Sequence, residues 1–114
     1  MSLKIDHRKS GSVTVVDLSG KIVVGESAER LLETAKELVR RGERNLLFNM
    51  TEVSYLDSAG LGVFMKCYNA VTAGAGQIKL VNVSARIRDL LRITKLHTFF
   101  EVFDDETAAV RSCS

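Results

Sequence analysis

Apolar and polar positions switch between two periods along this chain, and the switches divide it into alternating strands and helices. Leu3 to Lys9 alternates apolar with polar, the period of an edge strand. Ser10-Gly11-Ser12 reads as a hairpin turn, and Val13 to Ser19 is rich in β-branched residues, which favour a strand. Gly20 punctuates that run, and Ile22 to Val24 continue its extended path. Over Glu26 to Arg41 the period lengthens: Ala28, Leu31, Leu32, Ala35, Leu38 and Val39 fall on one face of a helix. Glu26 and Glu29 near its start, and Arg40 and Arg41 near its end, suit the helix dipole; Gly42 terminates it.

Beyond Gly42, Asn45 to Met50 carries Leu46-Leu47-Phe48, a short apolar run that suits a strand buried on both faces. Thr51 to Leu56 connects it to a second helix from Ser58 to about Ala73, whose core face is Leu61, Phe64, Met65, Tyr68 and Val71. Gly74 and Gly76 end that helix. Gln77 to Asn82 is a further strand, Ser84 caps a third helix ending near Lys95, Phe99 to Phe103 is a final strand, and Asp104-Asp105 opens a short C-terminal helix. Strands and helices alternate after the first hairpin, which implies parallel pairing through right-handed crossovers. The expected fold is therefore α/β: a mixed sheet with an antiparallel edge hairpin and then parallel strands, packed with about four helices as one domain over residues 1–114.

Composition narrows the function classes. Sixteen basic and 14 acidic residues give a net charge of +2, too balanced to argue for direct nucleic-acid binding. No apolar run approaches the roughly 20 residues that span a bilayer, and Met1 to Ser10 has no apolar signal core, so a cytoplasmic protein is expected. Cys67, inside a helix pattern, and Cys113, in the tail, make no disulfide framework.

The densest chemical signal is Asp57-Ser58-Ala59-Gly60-Leu61-Gly62, where a strand gives way to a helix. A helix N-terminus carries unpaired N–H groups and positive dipole charge, a natural seat for a phosphate. Ser58, Gly62, Lys66 and Asn69 share one helix face opposite the apolar one. Gly62 costs the helix about 1 kcal/mol relative to alanine, yet leaves room one turn beyond the serine for another protein's backbone. Gly60 likewise clears the first turn. Two readings stay open on these residues: Ser58 as an N-cap with glycines that serve packing, or Ser58 as a covalently switched residue.

Other chemistry fits poorly. A nucleophilic serine needs a base within reach, and the two histidines, His7 and His97, lie far off in sequence. The surroundings of Ser58 are not G-x-S-x-G. Gly60-Leu61-Gly62 begins a dinucleotide fingerprint that fails at Met65. Two histidines and two cysteines without ligand spacing predict no metal, and no cofactor, small-molecule ligand or catalysis is expected. Arg88, Arg92 and Lys95 form a basic stripe on the third helix, read as a solvated face in preference to a docking stripe for an acidic partner.

The hexapeptide, the strand before it and the hairpin ending Val15-Val16-Asp17-Leu18-Ser19-Gly20-Lys21-Ile22 resemble the STAS-domain family, specifically the bacterial anti-sigma-factor antagonists. Gln77 to Asn82, Arg86 to Leu96 and Phe100-Glu101-Val102-Phe103-Asp104 are similar too. The resemblance implies a protein that, unphosphorylated, binds an anti-sigma factor that is itself a serine kinase. Phosphorylation at Ser58 ends the binding, and a metal-dependent serine phosphatase restores it. It also implies partner contacts at Asp57, Ser58, Ala59, Gly60, Gly62 and Lys66, with Asp57 holding the loop or presenting the serine. Ala59 departs from relatives that carry a second hydroxyl residue there, and Lys95-Leu96 stands where a glycine-leucine pair is common. The alternative within the family is a structural subunit of a signalling scaffold or lipid-transport complex, without a serine switch.

Overall fold

A computed structural model describes residues 3–113 and has the expected α/β architecture. Strands β1 (Leu3–Ser10), β2 (Val13–Ile22), β3 (Asn45–Leu56), β4 (Gln77–Val81) and β5 (Val102–Phe103) form one sheet in that spatial order. Helices α1 (Glu26–Arg40), α2 (Ser58–Ala73), α3 (Ala85–Ile93) and α4 (Glu106–Ser112) connect and follow them. The β1–β2 hairpin is antiparallel; every later pairing is parallel.

Period-two alternation in the central strands sends side chains to two separate cores. Val16 and Leu18 of β2, with Leu46, Phe48 and Met50 of β3, face α1, α2 and α3. Phe64 of α2 links Phe48 to Phe100, with ring centroids 5.8 and 5.9 Å apart, so the three largest buried rings sit in contact. Val13, Val15 and Leu47 point the other way, where Ala109 of α4 meets them. Leu46, Leu47 and Phe48 are all fully buried, as the apolar run requires.

Three boundaries differ from the sequence reading. β3 does not stop at Met50 but runs to Leu56, pairing its second half with Ser19 to Ile22 of β2. Register shifts fall between Asp17 and Ser19 and between Gly20 and Lys21, so only Val53 and Leu56 turn inward. That spacing of three erased the alternation that marks a strand. Helix α3 ends at Ile93, and Lys95 takes a left-handed conformation at φ 65 before a 3₁₀ turn over Leu96–Thr98. Glycine would adopt that backbone without the Cβ penalty that lysine carries. Finally, β5 is only Val102–Phe103, because Phe100 is drawn into the core and leaves Phe99 exposed.

Helix α4 is held on the second face by ion pairs as well as by Ala109. Arg8 donates to Asp17 at 2.8 Å and to Glu106 at 2.8 and 2.9 Å, joining the hairpin to the start of α4. Lys79, buried on β4, donates to Ser112 Oγ at 2.8 Å at the other end. Hydrogen bonds from Arg8 hold the Asp17 and Glu106 carboxyls below the ordinary range, and Asn49 assists at Asp17. A carboxyl whose folded pKa is depressed contributes stability that is present above its unfolded pKa, about 4, and is lost as pH falls through the folded value. The anchoring of α4 is therefore expected to weaken from about pH 4 downward. Arg8→Gln is expected to cost at most about 1 kcal/mol at pH 7, these being half-exposed pairs, and to flatten the acid limb. Urea titrations of both proteins at neutral and acid pH measure this.

Candidate functional site

The junction between β3 and α2 is built around a carboxylate. Asp57 leaves the strand in an extended conformation (φ −99, ψ −175), and its Oδ1 accepts the Gly60 N–H at 2.9 Å. Its own carbonyl accepts from Leu61 N–H at 3.0 Å, which starts the helical ladder. Asp57, not Ser58, is thus the N-cap, a correction to the capping alternative considered from sequence. An acidic side chain one residue ahead of the helix already fills the acceptor position, so Ser58 enters as the first helical residue. Ser58 is exposed, and among the described residues its hydroxyl makes no hydrogen bond.

The second oxygen of Asp57 reaches across to the β2–α1 loop, accepting the Val24 N–H at 3.1 Å. Ser27 grips the same loop from the other side: its Oγ accepts from Val23 N–H and donates to Val23 carbonyl, both at 2.9 Å. The Asp57 N–H also donates to the Ile22 carbonyl at 3.3 Å. Backbone donors at Gly60 and then Val24 hold the Asp57 carboxyl below its ordinary range, so it is an anion throughout the neutral range. Neither Val24 nor Ser27 was identified from sequence. A serine in a helical first turn was the only signal available for the latter.

The two glycines of the motif serve different ends. A Cβ on Gly60 would strike the Ile22 carbonyl and come within 2.6 Å of Leu56 Cδ1. Gly60 is buried, and the absence of a side chain there allows the close seating of α2 on the strand end. A Cβ on Gly62 would meet nothing within 4 Å. No packing reason exists for Gly62. Ser58, Gly62, Lys66 and Asn69 are all exposed on the outer face of α2, while Ala59 is half-buried beside them. On the inner face Val63 and Cys67 join Leu61, Phe64 and Val71, with Met65 and Tyr68 half-buried at its margin; burial pushes the Cys67 thiol up to about 12.

Around this helix start the surface is unusually apolar. Val24, Tyr55 and Ile93 are 73%, 45% and 76% exposed, and all three belong to the segments that converge on Asp57 and Ser58. An open groove of about 780 Å³ lies between Ser58 and α3, with Tyr55, Arg86, Asp89 and Ile93 among its walls. His7 and His97 line other surfaces, against α1 and beside Phe100. The basic stripe does not form as a unit: Arg88 pairs with Asp104 at 2.9 Å, Arg92 pairs with Asp89 at 3.0 Å, and Lys95 lies past the helix end.

Comparison with known proteins agrees with this architecture. The sequence matches the STAS domain over residues 4–109. It is 33% identical over 102 residues to the anti-sigma-B factor antagonist of Bacillus subtilis strain 168, covering 90% of this chain and 92% of that protein. The fold superposes with a TM-score of 0.86 on an anti-sigma factor antagonist from Mycobacterium paratuberculosis, at 21% identity over 98% of this chain and 94% of the other. It superposes with a TM-score of 0.73 on the Bacillus cell fate determinant SpoIIAA in its phosphorylated form, at 20% identity over 96% and 99%.

Two expectations separate the cap, the tether and the glycines. Asp57→Asn retains an oxygen for Gly60 but replaces the acceptor for Val24, so amide exchange is expected to accelerate at Val24 and hold at Gly60, whereas Asp57→Ala accelerates both; hydrogen-exchange NMR reads the difference. Gly60→Ala is expected to destabilise by about 1–3 kcal/mol through overpacking, while Gly62→Ala stabilises by up to about 1 kcal/mol. Denaturant midpoints of the two variants decide it.

Proposed function

The chain belongs to the STAS-domain family, and from that premise we propose that it is an anti-sigma-factor antagonist switched by phosphorylation of Ser58. Unphosphorylated, it docks on an anti-sigma factor that is a serine kinase. That kinase moves the γ-phosphoryl group of ATP to Ser58 Oγ, releasing ADP and the hydroxyl proton, and docking ends. A serine phosphatase removes the phosphate with water and restores the binding form. The observation that carries this reading is the division of labour at the helix start: Asp57 performs the capping and leaves an exposed Ser58 hydroxyl free for modification.

Three features support the same surface as the docking face. Gly62 leaves the turn after Ser58 open to a partner's backbone. Lys66 and Ala59 flank that opening, and Asp57 orients the serine while bonding the Val24 loop. Exposed Val24, Tyr55 and Ile93 supply apolar area that a partner would cover. Relatives that match end to end and carry the antagonist name favour this reading over a subunit of a scaffold or transport complex.

Electrostatics sets the sign of the switch. A phosphate adds about −1.5 to −2 charges at neutral pH. Its attraction to the helix dipole is worth only about 0.3–1 kcal/mol. A like charge on a partner about 4 Å away would cost about 4 kcal/mol per unit pair at an effective dielectric near 20. Repulsion and bulk at the interface thus outweigh any local gain. The Ser58 hydroxyl holds nothing in the fold, so the phosphorylated chain keeps its backbone.

Incubation with the cognate kinase and ATP, followed by peptide mass mapping, is expected to place one phosphate on Ser58 and none on Ser58→Ala. Phosphorylation is expected to weaken kinase binding more than tenfold, which is more than about 1.4 kcal/mol. Gly62→Leu is expected to weaken binding of the unphosphorylated chain without lowering its unfolding midpoint. Phosphate elsewhere, or unchanged binding after stoichiometric modification, would refute the switch.

A further inference from the structure

Arg86 stands where a helix does not favour a cation. It is the second residue of α3, in the turn where the helix dipole is positive. The other two arginines of this helix have acidic partners, Arg88 in Asp104 and Arg92 in Asp89. Among the described residues Arg86 makes neither an ion pair nor a hydrogen bond. Its side chain lines the same groove as Asp57 and Ser58. Asp89, the other charged group on the α3 wall, has its Oδ1 engaged by Arg92 at 3.0 Å. An unpaired guanidinium at the unfavourable end of a helix, lining one groove with an unpaired hydroxyl, is a juxtaposition that folding alone does not explain.

We propose that Arg86 is the intramolecular receiver of a phosphate on Ser58, so that modification closes the groove with an ion pair between α2 and α3. A guanidinium presents planar paired donors that match phosphate oxygens. In the unmodified chain those donors stay open to an acidic group of the docking partner. In the phosphorylated chain they are taken by the phosphate. One modification then has two effects on binding: it adds negative charge at Ser58 and withdraws the positive charge of Arg86. The inference rests on Ser58 as the phosphorylated residue and assigns what the phosphate does after transfer.

The test uses the full chain with phosphoserine installed at position 58 during translation, so that it needs no kinase and is independent of whether a kinase acts on this protein. Phosphorus NMR titration reads the second ionisation of the phosphate. Asp57 and Asp89 line the same groove and raise that pKa, Arg86 lowers it, and the Tyr55 side chain completes the wall beside them. Arg86→Gln is expected to raise the pKa by about half a unit, the scale of an exposed ion pair. Arg86→Lys should keep most of the lowering, and Arg88→Gln, whose partner is Asp104, should leave it unchanged. Arg86 is exposed and holds no contact of the fold, and an amide fingerprint spectrum identifies any variant that has lost structure. An identical phosphate pKa in the parent and folded Arg86→Gln would overturn the proposal, as would an equal shift in Arg88→Gln.

Discussion

A single carboxylate joins three segments of this protein, and the shape of its distinctive surface follows from that junction. Asp57 accepts one N–H from the helix it begins and one from a loop 33 residues earlier in the chain. The strand end at Ile22 lies close enough that only a glycine fits at position 60. Remove the carboxylate and two backbone donors lose their partners at once; place a side chain at 60 and α2 cannot seat. Both demands are local, yet each is met by groups from a different crossover. The parallel order of β2 and β3 is what brings Ile22 beside Leu56.

The same junction explains why the adjacent serine is chemically available. Helix starts ordinarily use a serine's oxygen to satisfy an orphan N–H. Here that task is already done one residue earlier, and Ser58 projects into solvent. Beyond it, the outer face of α2 consists of residues that do no packing, including a glycine the helix would be more stable without. The opposite sheet face is organised differently: α4 is clamped by Arg8 and Lys79, whose partners are spent on stability. Charge on that side is paired, whereas at the Ser58 end an arginine and three large apolar side chains stay uncovered. Paired charge and uncovered side chains thus lie in different parts of the fold.

Elements that bury one face at a regular period were readable from the residues. Helix α1 shows its stripe of Ala28, Leu31, Ala35 and Leu38 in both sequence and structure. Helix α2 was bounded correctly, and the all-apolar centre of β3 was recognisable as a doubly buried strand. The second half of β3 was not, because a bulged partner breaks its alternation: Val53 and Leu56 are three apart. The last strand was overdrawn for the converse reason. Phe99 to Phe103 has the composition of a strand, but Phe100 gains more by joining Phe64 and Tyr68 in the core than by extending the ladder.

The sequence by itself therefore determined the α/β order, the position of Ser58 at a helix start and the openness of the α2 face. Each of these depends on periodicity or on residue type within one turn. Only the tertiary structure decided that Asp57 and not Ser58 is the cap, that Gly60 is buried packing while Gly62 is open surface, and that Arg86 lines one groove with the serine. Those facts depend on which residues the parallel crossovers bring together. Contacts spanning some 30 residues leave no periodic mark in the chain that makes them.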